Sequence, residues 1–472
     1  MVFTSGHSGV SINYTDVGRI KLHAIHDDNL GISGETDYFV SKPANLELSI
    51  LANPSAVDSN GAVFKKAGDS FVATVSVQDA NGDITPNYGN ESNPEGISVS
   101  ISSLVAPLGG ETGIVANAAS FIKQGPGVFS AANLNYNEVG IIQMRASVTD
   151  ADYLGIGNII GNESANVGRF TPDHFTATAN TPQFATACPV CQFTYVGQDF
   201  TYDIEPQITL TARNGSGGVT ANYIDSFFKL VPGNINSNYT SNNIQILLNS
   251  ALAEAEITTV DLGSGVGVVT FGDGGGISFT KGQWVHATPF IAEIQMDAVV
   301  QDSDFVATQT TPITFGGTIS NNGITFSDSK QFYQGRVVLR NSFGSELLNL
   351  MMPFKVEYFN GTDYIQNQQD SVTQILSGWA LLTPITQGLN TSISIQSQIL
   401  GLGLIIFQAP IPSMSGDVNI ELDLTNLPYL QHDWPHDGNM DGIADDNPRA
   451  RATFGIYKGD SNIVIVKEIY KP

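Results

Sequence analysis

Apolar and polar residues alternate along Gly140-Ile-Ile-Gln-Met-Arg-Ala-Ser-Val148 and then give way to the acidic run Thr149-Asp-Ala-Asp-Tyr-Leu154. A period of two marks a strand with one buried face, and the Asp-rich run reads as the turn that closes it. The stretch returns as Ala292-Glu-Ile-Gln-Met-Asp-Ala-Val-Val-Gln-Asp-Ser-Asp-Phe305, with Gln143 matching Gln295 and Asp152 matching Asp304 at one constant offset. A weaker copy lies upstream, where Gly18-Arg-Ile-Lys-Leu-His-Ala24 precedes Asp27-Asp-Asn-Leu-Gly31 and Ile20 aligns with Ile142. Each copy is expected to end a module.

A second pattern follows the first. Phe39-Val-Ser-Lys-Pro43, Ala67-Gly-Asp-Ser-Phe-Val-Ala-Thr-Val-Ser-Val-Gln-Asp79 and Thr85-Pro-Asn-Tyr88 are answered by Phe170-Thr-Pro-Asp-His-Phe175, Gly197-Gln-Asp-Phe-Thr-Tyr202 with Ile208-Thr-Leu-Thr-Ala-Arg213, and Thr220-Ala-Asn-Tyr223. A repeat this long is no solenoid and predicts a row of modules, each with its own core. The expected fold class is all-β, a tandem of immunoglobulin-like β-sandwiches. The boundaries fall at 1–38 (the tail of a preceding module whose body is absent), 39–166, 167–315 and 316–472. The chain is accordingly expected to be a piece of a longer parent.

Past Phe305 the pattern changes. Gly335 to Tyr358 predicts two strands with Asn341-Ser-Phe-Gly344 as their turn, and further strands are expected at 392–397, 402–408, 417–424, 450–457 and 463–470. Helical periodicity is nearly absent. Its best candidate, Ile246 to Glu256, is read equally well as a strand followed by a loop.

Composition fits this picture. The chain of 472 residues has 48 Gly and a net charge of −25, with no Lys/Arg cluster, so nucleic acid is excluded as a partner because binding it needs basic groups to replace counterions. Such acidity describes a well-hydrated surface or acidic loops that hold divalent cations. No signal peptide or membrane segment is expected, since the longest apolar run, Leu400 to Phe407, falls far short of a bilayer span. The two cysteines, Cys188 and Cys191, form a Cys-x-x-Cys pair in an all-β context without a second metal-ligand pair. A structural disulfide formed in an oxidising compartment is favoured over redox or zinc chemistry. Closing so short a loop contributes roughly 2 kcal/mol, enough to pin a loop.

The one motif with metal-ligand spacing is Asp437-Gly-Asn-Met-Asp-Gly-Ile-Ala-Asp-Asp446. Calcium wants six to eight oxygens, and Asp437, Asn439, Asp441, the Ile443 carbonyl and Asp445 offer them at the required intervals, with Gly442 at the sharp turn. Pro448 stands where the last bidentate Glu would be, so the expectation is an isolated calcium loop in which Asp446 replaces that ligand. An acidic turn between strands is the competing reading. Gly-x-Ser-x-Gly, phosphate-binding and His-Glu-x-x-His motifs are missing, and no enzymatic activity is expected. Asp150 and Asp152 recur with the module and are read as turn residues. Trp284 and Trp379 are read as core.

Val167-Gly-Arg-Phe-Thr-Pro-Asp-His-Phe175, Phe193 to Phe200, Leu210 to Asn214 through Tyr223, Gly335 through Pro353 and Pro448-Arg-Ala-Arg-Ala-Thr-Phe-Gly-Ile-Tyr-Lys-Gly459 lie in one order across nearly the whole chain. In these the chain resembles the C-terminal region of the MshQ family, MSHA biogenesis proteins encoded with mannose-sensitive haemagglutinin type IV pili. The resemblance implies an extracellular, pilus-associated surface protein, an adhesin at the pilus tip whose partners are minor pilins, glycans or biotic surfaces. A structural stalk or assembly subunit that docks to minor pilins is the alternative. The family brings no catalytic residues. Val372 stands where the family pattern has Cys, which puts a second disulfide in doubt.

Overall fold

The computed structural model describes residues 4–5, 7–26, 31–243, 247–250, 256–281, 287–317, 323–435 and 442–455. Among these the regular elements are β-strands and a few short 3-10 turns such as Asp225–Phe227 and Ser377–Trp379. It enters through β1 (Gly18–Ile20) and β2 (Phe39–Ser41), which pair antiparallel. The first module contains β3 (Asn45–Ile50), β4 (Ser70–Gln78), β5 (Ile97–Ala106), β6 (Ile122–Gly125), β7 (Val128–Tyr136), β8 (Gly140–Val148) and β9 (Val167–Thr171). One sheet runs β3-β4-β7-β6 and the other β5-β8-β9, with the short strand Lys65–Lys66 beside β9. The alternation read in the sequence is what closes the sandwich. Phe71, Ala73, Val75 and Val77 of β4 point inward against Ile142, Met144, Ala146 and Val148 of β8, and all eight are buried. Each large aliphatic among them contributes about 1.5–3 kcal/mol by leaving water.

The second module repeats this order. Its strands are β10 (His174–Ala179), β11 (Gln207–Arg213), β12 (Ile235–Ser241), β13 (Ile257–Gly263), β14 (Val266–Phe271), β15 (Ile294–Val300) and β16 (Ile313–Phe315). They form the sheets β10-β11-β14-β13 and β12-β15-β16, the same two orders strand for strand. Gln143 and Gln295 sit in the equivalent strands β8 and β15, and Tyr88 and Tyr223 are both buried. The tandem all-β sandwich expected from the repeat is what the chain forms. In the stretch 246–256, Leu248–Asn249 is a short strand, and residues 251–255 lie outside the described residues.

The third module has its own topology. Its strands are β17 (Gly335–Leu339), β18 (Ser342–Gly344), β19 (Leu350–Phe359), β20 (Ala380–Pro384), β21 (Ile393–Ile399), β22 (Leu402–Phe407), β23 (Gly416–Leu422) and β24 (Arg449–Phe454). The sheets are β17-β19-β22-β21 and β18-β24-β23-β20. Asn341–Gly344 is therefore not a hairpin turn. The chain leaves β17 there and crosses to the opposite sheet, where β18 runs parallel to β24 and Asn341 Oδ1 accepts the Arg451 N–H at 2.9 Å. A polar Asn-Ser pair breaks the first sheet as a turn would, but its side chain fastens the break to the second sheet. The strand expected at 463–470 lies outside the described residues.

The modules share residues across their boundaries. In β8, Ile141 enters the core of the second module while Ile142 stays in the first. Strand alternation does this, since successive side chains point to opposite faces of the sheet. Further along, Cys188, Cys191, Phe193 and Tyr195 leave the second module and pack in the core of the third.

Candidate binding site in the third module

The site is built around Arg336. It stands directly opposite Glu357 in the β17–β19 pair, and its Nε and Nη2 donate to Glu357 Oε2 at 3.1 and 2.9 Å. Its Nη1 donates to His432 Nε2 at 3.2 Å. The guanidinium carbon lies 3.7 Å from the Tyr364 ring centre and 5.0 Å from that of Trp434, so two aromatic rings flank the cation. His432 meets both rings edge-on, 5.2 Å from Tyr364 and 4.8 Å from Trp434. Burial outweighs the attraction of Arg336 and pushes the Tyr364 hydroxyl up to about 12. The result is a fixed aromatic and charged corner.

The acidic loop begins at this corner. Of the expected ligands, Asp437, Asn439 and Asp441 lie outside the described residues, while Ile443, Asp445 and Asp446 are described. His432 and Asp446 exchange backbone hydrogen bonds at 3.2 Å each, and Asp446 Oδ2 accepts the Trp434 N–H at 2.8 Å. The Asp445 carbonyl accepts from Gln431 Nε2 at 2.8 Å. These bonds tie the second half of the loop to the strand-like segment 431–434. Asp433, absent from the ligand set read in the sequence, accepts the Gly442 N–H on Oδ2 at 3.0 Å, and its Oδ1 is buried with no hydrogen-bond partner among the described residues. A buried carboxylate oxygen without a donor is the kind of group a hard cation would satisfy. Among the described residues no three acidic, His or Cys side chains converge as a metal site.

Lys281 of the second module anchors the corner from below. Its Nζ donates to the carbonyls of Gly335 at 2.8 Å and Tyr429 at 2.9 Å, and also to that of Gln431. Burial chiefly, with Arg336 nearby, pushes this ammonium down to about 7. Close by, Cys188 and Cys191 form a disulfide, and both cysteines are buried in the third core. The buried Asp370 carboxylate accepts from the Tyr195 hydroxyl at 2.8 Å, the Thr373 hydroxyl at 2.6 Å and Gln398 Nε2 at 2.7 Å. Val372 lines the same small cavity as the disulfide.

The recurrent acids serve the module ends. Asp150 Oδ1 accepts the Asp152 N–H, and Asp302 Oδ1 accepts those of Asp304 and Val306. Asp302 also accepts the Tyr223 hydroxyl at 2.8 Å, and burial holds its carboxyl above the usual range. Trp379 packs on the third core, while Trp284 lies outside the described residues. Sequence reasoning missed Arg336, Glu357 and Tyr364 because strand pairing and crossing chains, with no spacing signal, bring them together.

Three family models match the chain in succession: DUF6701, second domain, over residues 42–133; DUF6701, third domain, over 138–323; and DUF6701, fourth domain, over 333–469. Together they span most of it. No curated protein matches. Among solved structures, the Yersinia pseudotuberculosis adhesin InvE is 15% identical over 58% of this chain and 60% of its own, with a TM-score of 0.23. InvD of the same organism is 14% identical over 80% of this chain and 91% of its own, also at 0.23. The I9–I11 tandem of titin is 8% identical over 86% and 98%, with a TM-score of 0.21.

Proposed function

The chain belongs to the DUF6701 family, and from that premise we propose that it is an extracellular adhesive protein of the MSHA type IV pilus system, in which a row of β-sandwiches carries a binding corner on its third module. The observation that carries this reading is the fixed corner of Arg336, Tyr364, His432 and Trp434 beside the acidic loop, held in place by Lys281 from the module before. Aromatic faces next to charged groups suit the apolar faces and hydroxyls of a glycan. The resemblance of Val167–Phe175 and Pro448–Gly459 to MshQ supports the pilus association, and the buried disulfide suits an oxidising surface. The role is non-catalytic. Calcium, held by Asp437, Asn439, Asp441, Asp445, Asp446 and the Ile443 carbonyl with Asp433 added, would supply charge and order to the loop.

The test is binding of the full chain to glycan arrays, host cells and purified minor pilins, with and without calcium. Binding to glycans or cells that is lost in Trp434→Ala supports the adhesive reading. Binding to pilins alone replaces it with the stalk reading. Calorimetry decides the metal: at a hundredfold excess of calcium over Kd, linkage raises stability by about 2.7 kcal/mol. Asp437→Ala with Asp441→Ala should abolish that rise and leave the calcium-free melting temperature in place.

A further inference from the structure

Residues 12–20 repeat residues 134–142 at one offset. Ile12-Asn-Tyr14 answers Leu134-Asn-Tyr136, Asp16-Val-Gly18 answers Glu138-Val-Gly140, and Ile20 answers Ile142. The backbone repeats as well, since Gly18 and Gly140 have φ of 133° and 132°, a conformation open only to glycine. So does the junction. Glu138 accepts the N–H groups of Val139, Ala221 and Asn222, and Val139 is buried in the module that follows. Asp16 likewise accepts those of Val17 and Asn87, and Val17 is buried in the first module. The segment thus docks on the first module as the first module docks on the second.

What surrounds it differs. The far edge of β8 is paired with β5, Ile141 facing Ala106. The far edge of β1 has no strand beside it among the described residues. Leu134, Tyr136 and Met144 are wholly buried, whereas their counterparts Ile12, Tyr14 and Leu22 are 58%, 42% and 36% exposed. Between the first and second modules the turn after β5 reaches Asn222, whose side chain bonds both the N–H and the carbonyl of Glu111, at 2.7 and 2.8 Å. Where residues 12–20 meet the first module, the Asn87 side chain makes no hydrogen bond among the described residues and faces a cavity of about 670 Å³ lined by Val17, Gly18 and Arg19.

We propose that the free edge of β1 and the cavity beside Asn87 form a strand-acceptor site, filled by the counterpart of β5 and its following turn from a module of the same architecture placed ahead of residue 12 in the polypeptide. The strand pairs with β1 through its backbone, the turn places its peptide group on the Asn87 amide, and the donated sheet covers Ile12, Tyr14 and Leu22. A preceding module is the occupant that suits both halves of the site, since the acceptor copies an intramolecular junction and the first matched domain of this chain is its family's second.

The test duplicates residues 39–131 directly ahead of Val10, so that native residues 10–25 must close the added half-module. Amide exchange is read at Gly18–Leu22 in this protein, in the unaltered chain, and in a version where residues 10–22 are also replaced by 132–144. Protection that rises by at least about 100-fold in the first protein, and falls in Asn87→Ala, is the expected result. Protection only in the fully duplicated version overturns the proposal, because the native segment then does not close a module. Protection in neither overturns it equally. Protection in the unaltered chain that grows with concentration assigns the edge to a second copy and also overturns it.

Discussion

The two junctions between modules are built on different physics. Between the first and second modules three small or aliphatic side chains, Ala56, Val139 and Ile141, enter the next core, and charged groups tie the rest. Arg169 forks onto Asp304, with Nη2 donating to Oδ1 at 2.8 Å, and its Nε donates to the Gly61 carbonyl at 2.9 Å. Glu138 clamps the loop at Asn222, and burial, opposed by its backbone hydrogen bonds, holds its carboxyl above the usual range. Between the second and third modules a whole segment is donated. Phe193 and Tyr195 lie in the third core, and the strand Thr194–Tyr195 runs parallel to Gln331–Tyr333. The first junction adds directional polar contacts to a few buried aliphatic ones. The second makes part of one module's sequence a component of the next one's core, so unfolding of the two should be coupled.

The largest way to break this contrast is Tyr195→Ala. Deleting a buried aromatic costs about 3–5 kcal/mol, and Asp370 loses a donor, adding about 1–3 kcal/mol. Calorimetry should show the third module melting far earlier although the substitution lies in the second. Tyr195→Phe should keep the packing and lose only the hydroxyl part.

Next comes Asp304→Ala, which leaves the Arg169 guanidinium, only 6% exposed, without its counter-charge. Removing one partner of a buried pair costs about 3–5 kcal/mol. Hydrogen exchange should rise on both sides of the first junction, at Gly61 and at Val306, while the third module keeps its melting temperature. A loss confined to the second module would mean that the two modules do not share this tie.

The disulfide ranks third. Cys188→Ser with Cys191→Ser should lower stability by roughly 2 kcal/mol. Because both cysteines are buried in the third core, the loss should appear in that module's transition and match the effect of a reductant on the native chain. A loss in the second module alone would show that the loop packs on the third module without supporting it.

The sequence made one part of this contrast readable and hid the other. Gln143 and Gln295, with the acids that follow them, are local strings, and a strand's period of two survives in any context, so the repeated sandwich could be read directly. The Cys188–Cys191 pairing was also legible, from three residues of spacing. Its burial in another module was not, because nothing local to Phe193 or Tyr195 says which core receives them. Arg169 and Asp304, or Lys281 and Gln431, meet only after whole sheets have formed. Asn341-Ser-Phe-Gly344 misled for the same reason, since a break in one sheet looks alike whether the chain returns or crosses over. In the acidic loop the spacing suggested calcium, whereas Asp433 with its orphaned oxygen lay before the motif and carried no signal.

The smallest prediction separates exposed from buried charge at a single junction. Lys66 Nζ lies 3.2 Å from Asp173 Oδ1, and His174 Nδ1 lies 2.8 Å from Oδ2, with the Lys66 and Asp173 side chains 48% and 30% exposed. Partial burial opposes ionisation of Asp173, but the hydrogen bonds of His174 and Lys66 outweigh it and hold the carboxyl below the usual range. A depressed carboxyl favours the folded state once it is ionised. Its contribution is therefore present above the ordinary Asp pKa of about 3.9 and is lost as pH falls through the lower folded value. Solvent screening limits it to about 0–1 kcal/mol. Lys66→Ala should lower the melting temperature of the first two modules slightly at pH 7 and have a smaller effect once the solution is acid enough to protonate Asp173, when only the Lys66 bond to the Asp173 carbonyl at 3.0 Å is left. Raising salt to about 1 M, where the screening length is about 3 Å, should shrink the difference at pH 7. The Asp304→Ala loss should persist at that salt, because its pair is shielded from the solvent. If salt erased both effects alike, the first junction would be a surface contact throughout, and the difference in burial between its two ion pairs would have no energetic consequence.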